Sequence, residues 1–517
     1  MTEPRVAARA PRSATRLVAH RGVHDEAAGG PRENTPAAIR AALARGVRMI
    51  EIDVRVSRDG AVVLLHDATL ERLWGDPRPV GEVDLTDLRE LGGGERRIPL
   101  LAEALELVRD SGAILLIDMD EPAPAGPAAE VVRAAGATAF SAWCGHPEAM
   151  RTIRAALPGA EIWQPWYATE PPTAADLAEL RPAVVNAEQL LVGRAWVEAV
   201  HALGAAVSCW TVDDPAQAAH LATIGVDSIT TNRVTEVRDA IAAGAIDERG
   251  RQIMIATELA QHAAEVTRHA RANGVGAVDT KTGPADHVTE IDRTIERRVR
   301  AVIGAQFPDH DLVGEEFGGT SDGARPCWYV DPIDGTANLA NGVPWTSFSL
   351  ALVEADHPVV GAVIDPVLLT PVVAAKGRGA WRDGLRLRTT PWPGPSPLAG
   401  AVVTTELAGA RPWNGLTTLM ERLAELHCTL RIPGSGTATL SGLATGRGAG
   451  AIIHRYSPID HAAAILIILE AGGTVLAPTG EPGLPALGDP VIAASDPTTA
   501  AALWTEWNTA LTPISRR

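Results

Sequence analysis

Between residues 15 and 240, short apolar runs alternate with helix-like stretches, and this alternation constrains the fold more than any other feature of the chain. "RLVA" is followed by "TPAAIRAALARG", where Thr35 is placed to cap a helix, Pro36 to open it and Gly46 to follow its last turn. "MIEIDVRV" alternates with period two, and the turn "SRDG" leads into "AVVLLH". "AILLID" (113–118), "AVVNA" (183–187), "AAVSCW" (205–210) and "SITT" (228–231) read as further strands, with helical segments between most of them. Such alternation implies a βα barrel or a doubly wound sheet.

The pattern changes near residue 246. "RQIMIATELAQHAAEVTRHARANG" predicts a long helix. A second amphipathic helix is predicted from about Ala285 to Ala305, with Val288, Ile291, Ile295, Val299 and Val302 as its apolar stripe. After "WYVDPIDGT" strands and turns dominate, which implies a layered α/β fold. A chain of 517 residues exceeds one ordinary core, so the expected division is a barrel-type unit over 15–245 and a second unit over 246–511.

Composition narrows the class. The net charge of −17 argues against sequence-independent binding to nucleic acid or to an anionic membrane, since both need a basic face. The longest apolar run, "AAAILIIL" (462–469), is too short to cross a bilayer, and the N-terminus shows no apolar signal core. Cys144, Cys209, Cys327 and Cys428 lie far apart without metal-pair spacing, which points to reduced thiols and a cytoplasmic location. An acidic chain that handles a phosphate needs local cations, and metal ions would serve.

Polar groups stand where the first-half strands end. His20-Arg21-Gly22 follows "LVA", His66 ends "AVVLL" and Asp118 ends "AILLI". Glu51 and Asp53, two apart in a strand, face the same side. Two histidines can act as general base and general acid, carboxylates can hold a divalent cation through oxygen, and an arginine can grip a phosphate. Singly, a strand-end histidine is ordinarily structural and a Glu-x-Asp pair ordinarily a solvated face. Together, "HRG", "PRENT" (31–35), "EIDVRVSRDGAVVLLHDATLER" (51–72) and the late "CWTVDD" and "GVDSITTN" (209–232) resemble the glycerophosphodiester phosphodiesterase family over about residues 16–240.

That resemblance implies a barrel of the triosephosphate isomerase type. It implies His20 and His66 as the acid/base pair, and Glu51, Asp53 and Asp118 as ligands of a divalent cation, Mg2+ or Ca2+. Arg21 would contact the phosphate, and Glu33 would support the site. The family carries Glu-x-Lys on a middle strand, whereas this chain reads "LLIDMDEPA". Asp118 takes the Glu position on a shorter arm, and Asp120 takes the Lys position with reversed charge.

The second half has its own acidic constellation. "DLVGEEFGG" (311–319) supplies Glu315 and Glu316, "YVDPIDGTANL" (329–339) supplies Asp331 and Asp334, and Asp460 opens a helix in "YSPIDHAAAILIILEAGG". Converging carboxylates need hard cations between them. Paired cations can activate a water and stabilise the leaving oxygen of a phosphate ester. Gly335 and Thr336 offer backbone N–H groups to phosphate oxygens. With "KTGPADHVTEID" (281–292), "GVPWTSFSLAL" and "GSGTATLSGLATG" (434–446), these segments resemble the inositol monophosphatase family over about residues 250–505.

This resemblance implies a layered α/β sandwich and hydrolysis of phosphomonoesters with two or three Mg2+ ions. It implies Glu315, Asp331, Asp334, Asp460 and the carbonyl of Ile333 as ligands. Asp292 and Thr336 would orient the attacking water, Gly335 and Thr336 would contact phosphate, and Lys281 would contact substrate. It also suggests a homodimer. Ile459 replaces the family's Trp, and Ile453 replaces the glutamate of inositol-preferring members, so an inositol preference does not follow.

The expectation is a bifunctional metal-dependent phosphoesterase acting on small phosphate esters. It would cleave glycerophosphodiesters to an alcohol and glycerol 3-phosphate, or to another phosphomonoester, and would hydrolyse a phosphomonoester such as inositol phosphate. The alternative leaves only the C-terminal phosphatase active, on inositol phosphate, histidinol phosphate or a 3′-phosphonucleotide, with the barrel as a binding or regulatory module.

Overall fold

The computed structural model describes residues 15–25, 29–244, 247–280, 287–367 and 369–511. The chain forms two compact units, one ending at residue 246 and the other beginning at 247.

In the first unit the strands are β1 (Arg16–Ala19), β2 (Met49–Val56), β3 (Val62–Leu64), β4 (Ile114–Met119), β5 (Ser141–Gly145), β6 (Glu161–Trp166), β7 (Val184–Glu188), β8 (Ala206–Trp210) and β9 (Ser228–Thr231). The ring runs β1-β2-β4-β5-β6-β7-β8-β9 and closes on β1, so eight parallel strands form a barrel. β3 lies outside the ring, antiparallel to β2. The predicted first helix spans Pro36–Ala44, and the Thr35 hydroxyl accepts from the Ala38 N–H as its cap.

Strand alternation fills the ring. Val18, Met49, Leu116, Ala142, Cys144, Trp163 and Val184 form one buried cluster drawn from successive strands. The residues of opposite parity, such as Ile50, Ile52, Leu115 and Ile117, join Ile39, Leu101 and Leu105 of the surrounding helices. Two strands escaped sequence reading, β5 ("SAWCG") and β6 ("EIWQPW"). Neither carries a run of branched apolar residues. Neighbours on both sides and covering helices make them strands, so tertiary context overrides local preference.

Among the described residues the second unit carries one two-stranded sheet and two large sheets. One runs β12 (Asp311–Gly314), β13 (Cys327–Asp334), β14 (Ser347–Glu354), β15 (His357–Ile364), β16 (Pro371–Ala375), β17 (Gly379–Arg382) and β18 (Leu385–Arg386) in that order, antiparallel beyond the first pair. The other contains β19 (Val402–Thr405), β20 (Thr429–Arg431), β21 (Gly450–Ile453), β22 (Thr474–Leu476) and β23 (Val491–Ala494) in the order β20-β19-β21-β23-β22. Helix Pro458–Glu470 packs against both. Ala462, Ala463, Leu466 and Ile467 meet the first sheet, while Ala464, Ile465 and Ile468 meet the second. A helix apolar on every side needs such a sandwiched place. Among the described residues no helix is long and apolar enough to cross a membrane.

One expectation needs correction. The second amphipathic helix starts at Glu290, not near Ala285. His287–Thr289 instead forms β11, paired with β10 (Val278–Thr280), and takes Val288 out of the helical stripe. Asp292 accepts from the Thr289 N–H at 2.8 Å, and the Thr289 hydroxyl accepts from Ile291 at 3.2 Å. That capping arrangement sets the start.

Gly145 ends β5 with φ of +110°, and a Cβ there would lie 2.1 Å from the Met119 carbonyl oxygen and 2.4 Å from Asp118 Oδ1. Gly145→Ala is therefore expected to destabilise the barrel by about 2–4 kcal/mol, read as a lower urea midpoint.

Candidate active sites

At the barrel, one cavity of about 450 Å³ gathers His20, Arg21, Glu51, Asp53, His66 and Asp118. Six of the residues expected at this site thus line a single space. The placement follows from register. Asp53 on β2 is the direct partner of Asp118 on β4, and Asp118 is the partner of Cys144 on β5. Glu51 lies two residues below Asp53 on the same face. Burial pushes Glu51 well above the usual carboxylate range, and Asp53 and Asp118 push it further. Burial and Asp53 likewise raise Asp118 to about 7.

Arg21 is the cation among these acids. Its Nε lies 3.3 Å from Asp53, its Nη1 donates to Glu33 at 2.9 Å, and its backbone N–H donates to Glu51 at 2.7 Å. Glu33 does not line the cavity. It stands behind Arg21 and also accepts from Arg72, which in turn holds Asp67, the partner of His66 Nδ1 at 2.7 Å. Burial opposes ionisation of Glu33, but the two guanidinium groups outweigh it and hold its pKa near 2.

Several supporting residues were not found in the sequence. Asn232 Oδ1 lies 2.8 Å from His20 Nδ1, and the Asn232 amide nitrogen donates to Asp213 at 2.6 Å. That second bond commits Oδ1 to the acceptor role, so His20 carries its proton on Nδ1. Burial, then Arg21, lowers the His20 pKa, so the ring is neutral near pH 7. Asn34 donates to Asp53 at 2.7 Å. The Asn of "PRENT" and the terminal Asn of "SITTN" were visible inside quoted motifs, but nothing local marks them as partners. The reversed charge at Asp120 is matched by Arg55, whose Nη2 donates to it.

In the second unit, a cavity of about 450 Å³ gathers Glu315, Asp331, Ile333, Asp334, Gly335, Thr336 and Asp460. Three devices bring them together. The parallel pairing of β12 with β13 matches Gly314 to Val330, which sets Glu315 beside Asp331. Asp331 and Asp334, three apart, would face opposite sides of a regular strand. A register shift between them turns both toward the cavity. Helix Pro458–Glu470 adds Asp460 at its third position.

Behind this rim, Thr336 Oγ1 stands 3.1 Å from Asp292 Oδ1 and 2.9 Å from the Ile333 carbonyl oxygen. Asp292 is fully buried, and that burial raises its pKa. Asp334 accepts from Ser435 Oγ at 2.8 Å and from the Thr437 N–H at 2.6 Å. Gly335 has φ of +91°, and a Cβ there would lie 2.9 Å from the Trp345 carbonyl oxygen, so the close approach needs glycine. Lys281 lies outside the described residues. Two contributors were missed in the sequence. Glu296, fully buried, accepts from the Glu316 N–H at 2.7 Å and the Phe317 N–H at 3.1 Å, and so shapes the turn after Glu315. Glu406 lines the cavity, whereas Ile453 is buried in the core.

The donor sets fit hard divalent cations. Burial drives Asp331 well above the usual range, and Glu315, Asp334 and Asp460 add to it; Asp334 rises to about 7 through burial and Asp460. Among the described residues no Lys or Arg lines that cavity. Among the described residues no group of three or more His, Cys, Asp or Glu already stands at metal-binding spacing. The carboxylates are nonetheless close enough to repel one another, and oxygen-coordinated cations relieve that repulsion.

Comparison with known proteins gives these cavities a family. The model of the inositol monophosphatase family matches residues 251–509. The chain belongs to the inositol monophosphatase family. The model of the glycerophosphoryl diester phosphodiesterase family matches residues 20–236, N-terminal to it, so this inositol monophosphatase family member also carries a diesterase-family barrel. Among relatives, "Inositol monophosphatase 2" of Solanum lycopersicum is 34% identical over 239 residues, which cover 44% of this chain and 87% of that protein. "Fructose-1,6-bisphosphatase/inositol-1-monophosphatase" of Aquifex aeolicus is 34% identical over 200 residues, 39% of this chain and 75% of that protein. A glycerophosphodiester phosphodiesterase structure from Parabacteroides distasonis is 21% identical, with a TM-score of 0.39, and covers 45% of this chain and 99% of that one. Both families are hydrolases of phosphate esters, and the inositol monophosphatase family is magnesium-dependent.

Arg72 pins two carboxylates that are otherwise partly dehydrated. Arg72→Met is expected to lower barrel stability by about 1–2 kcal/mol at pH 7. Glu33 and Asp67 both have depressed folded pKa values of about 2, so their contribution is full above the unfolded values and is lost as pH falls. The gap between variant and parent should therefore narrow between about pH 4 and pH 2 in denaturation experiments.

Proposed function

We propose that the chain is a bifunctional hydrolase in which the barrel cleaves a glycerophosphodiester and the second unit hydrolyses a phosphomonoester with magnesium. The observation that carries this reading is the convergence, in each unit, of carboxylates from separate elements on a cavity that also holds proton-transfer groups.

In the barrel, Glu51, Asp53 and Asp118 would hold a divalent cation, Mg2+ or Ca2+. In the second unit, Glu315, Asp331, Asp334, Asp460 and the Ile333 carbonyl would hold two or three Mg2+ ions. Such cations supply positive charge against the phosphate oxygens. Arg21 binds the phosphate in the barrel. His20, neutral and protonated on Nδ1 toward Asn232, has its lone pair on Nε2 and takes a proton from the water that attacks phosphorus as the bond to the alcohol oxygen breaks. His66, fixed through Nδ1 by Asp67, returns a proton to the leaving alkoxide.

In the phosphatase, Asp292 holds Thr336, and the Thr336 hydroxyl orients the attacking water. The N–H groups of Gly335 and Thr336 receive phosphate oxygens. Glu406, in the absence of a glutamate at 453, is the cavity carboxylate available to the hydroxyls of the alcohol. The substrate is a phosphomonoester such as inositol phosphate. A diesterase product is itself a phosphomonoester, so the two sites suit successive steps.

His20→Ala is expected to lower glycerophosphodiester turnover by about 10²–10⁴-fold while phosphomonoester hydrolysis persists, and Thr336→Val should do the reverse. Chelation with EDTA should stop both activities, and added magnesium should restore phosphate release. The charge reversal at Asp120 favours a second reading, in which the barrel only binds or regulates. Unchanged diester turnover in His20→Ala would select that reading.

A further inference from the structure

Arg55 carries a guanidinium group whose side chain is only 5% exposed. A buried cation of this kind needs acceptors on several sides. Arg55 has them. Its Nε donates to the His66 carbonyl oxygen at 2.7 Å, and Nη2 donates to the same oxygen. Nη2 also reaches Asp120, and Nη1 donates to Glu121 at 3.1 Å. One side chain on β2 therefore ties together the segment that follows β3 and the segment that follows β4.

The tie matters because of where His66 sits. β3 is not part of the closed ring, and its ladder to β2 covers only Val54–Val56 against Val62–Leu64. Past Leu64 the chain has left that ladder, and one further backbone bond, Leu65 N–H to the Asp53 carbonyl oxygen at 3.1 Å, holds it before His66. The His66 side chain is itself 40% exposed. Its backbone carbonyl is the point at which the buried fork grips this segment.

We infer that Arg55 is the positioning residue for His66, and that Asp120, although it lines the barrel cavity, is committed through its carboxylate to Arg55 and not to phosphate binding. This rests on the reading of His66 as a proton-transfer residue. Two carboxylates, Asp120 and Glu121, balance the guanidinium while its Nε–Nη2 edge donates to the carbonyl oxygen. Lysine at 120 would set an ammonium against a buried guanidinium, so an acid at 120 and an arginine at 55 form one charge-matched unit. The fork also makes lysine a poor substitute at 55, since an ammonium cannot hold the carbonyl and both carboxylates in one plane.

The test uses the full-length protein with Arg55→Met, Arg55→Lys and Asp120→Lys. Two readouts are taken: kcat and KM for glycerophosphodiester hydrolysis with Mg2+ or Ca2+, and amide hydrogen exchange of the peptide spanning residues 62–70. Arg55→Met should lower kcat by about 10–100-fold with KM changed less than about threefold, and should speed exchange in that peptide and in the segment that follows β4, but not in the other barrel strands. Arg55→Lys should fall between parent and Arg55→Met. Asp120→Lys should also lower kcat and speed exchange locally. Unchanged exchange over 62–70 in Arg55→Met would overturn the inference, as would faster exchange through every barrel strand in both Arg55 variants. A higher kcat/KM in Asp120→Lys would return residue 120 to the phosphate surface and overturn it too. If the parent protein cleaves no diester, the catalytic reading of His66 fails, and the exchange data alone decide whether Arg55 holds the segment.

Discussion

Repulsion between carboxylates gathered out of water is the constraint on which both sites depend. In the barrel, Glu51, Asp53 and Asp118 stand together, and Arg21 is the cation beside them. In the second unit, Glu315, Asp331, Asp334 and Asp460 share a cavity that, among the described residues, no Lys or Arg lines. Burial and neighbouring charge raise the pKa of Glu51, Asp118, Asp331 and Asp334 together. A protein keeps such an arrangement only where something positive enters it or where folding overdetermines it.

Folding does overdetermine it, by different means in the two units. The closed parallel ring fixes which residues are neighbours, and the pairing of Asp53 with Asp118 is a matter of register. The second unit relies on an irregularity. Without the shift between Asp331 and Asp334, one of the two would point away from the cavity. Buried polar braces then hold the acids. Asn34 serves Asp53, Ser435 and Thr437 serve Asp334, and Glu296 shapes the turn that carries Glu315.

Legibility followed chemistry more than shape. The acids, His20, His66 and the "DPIDGT" segment, each ordinary taken alone, were readable because their joint order along the chain resembles that of two known families. Asn232 and Arg55 were not readable, because their meaning lies in a partner far along the chain: Asn232 is 212 positions from His20, and Arg55 reaches Asp120 across 65. β5 and β6 were missed for a related reason, since their strand character comes from neighbours. Asp120 read as a charge defect until its partner was placed beside it.

What the amino-acid order determined by itself is the alternation of strands and helices, an apolar run too short to cross a bilayer, and the supply of acids at strand ends. These are local properties, set by side-chain period and by which groups water will not release. Which acids face one another, which proton His20 carries and what balances Asp120 were decided only in three dimensions. Those outcomes depend on strand register, on one irregular step in β13 and on hydrogen bonds between distant segments, and no local pattern encodes them.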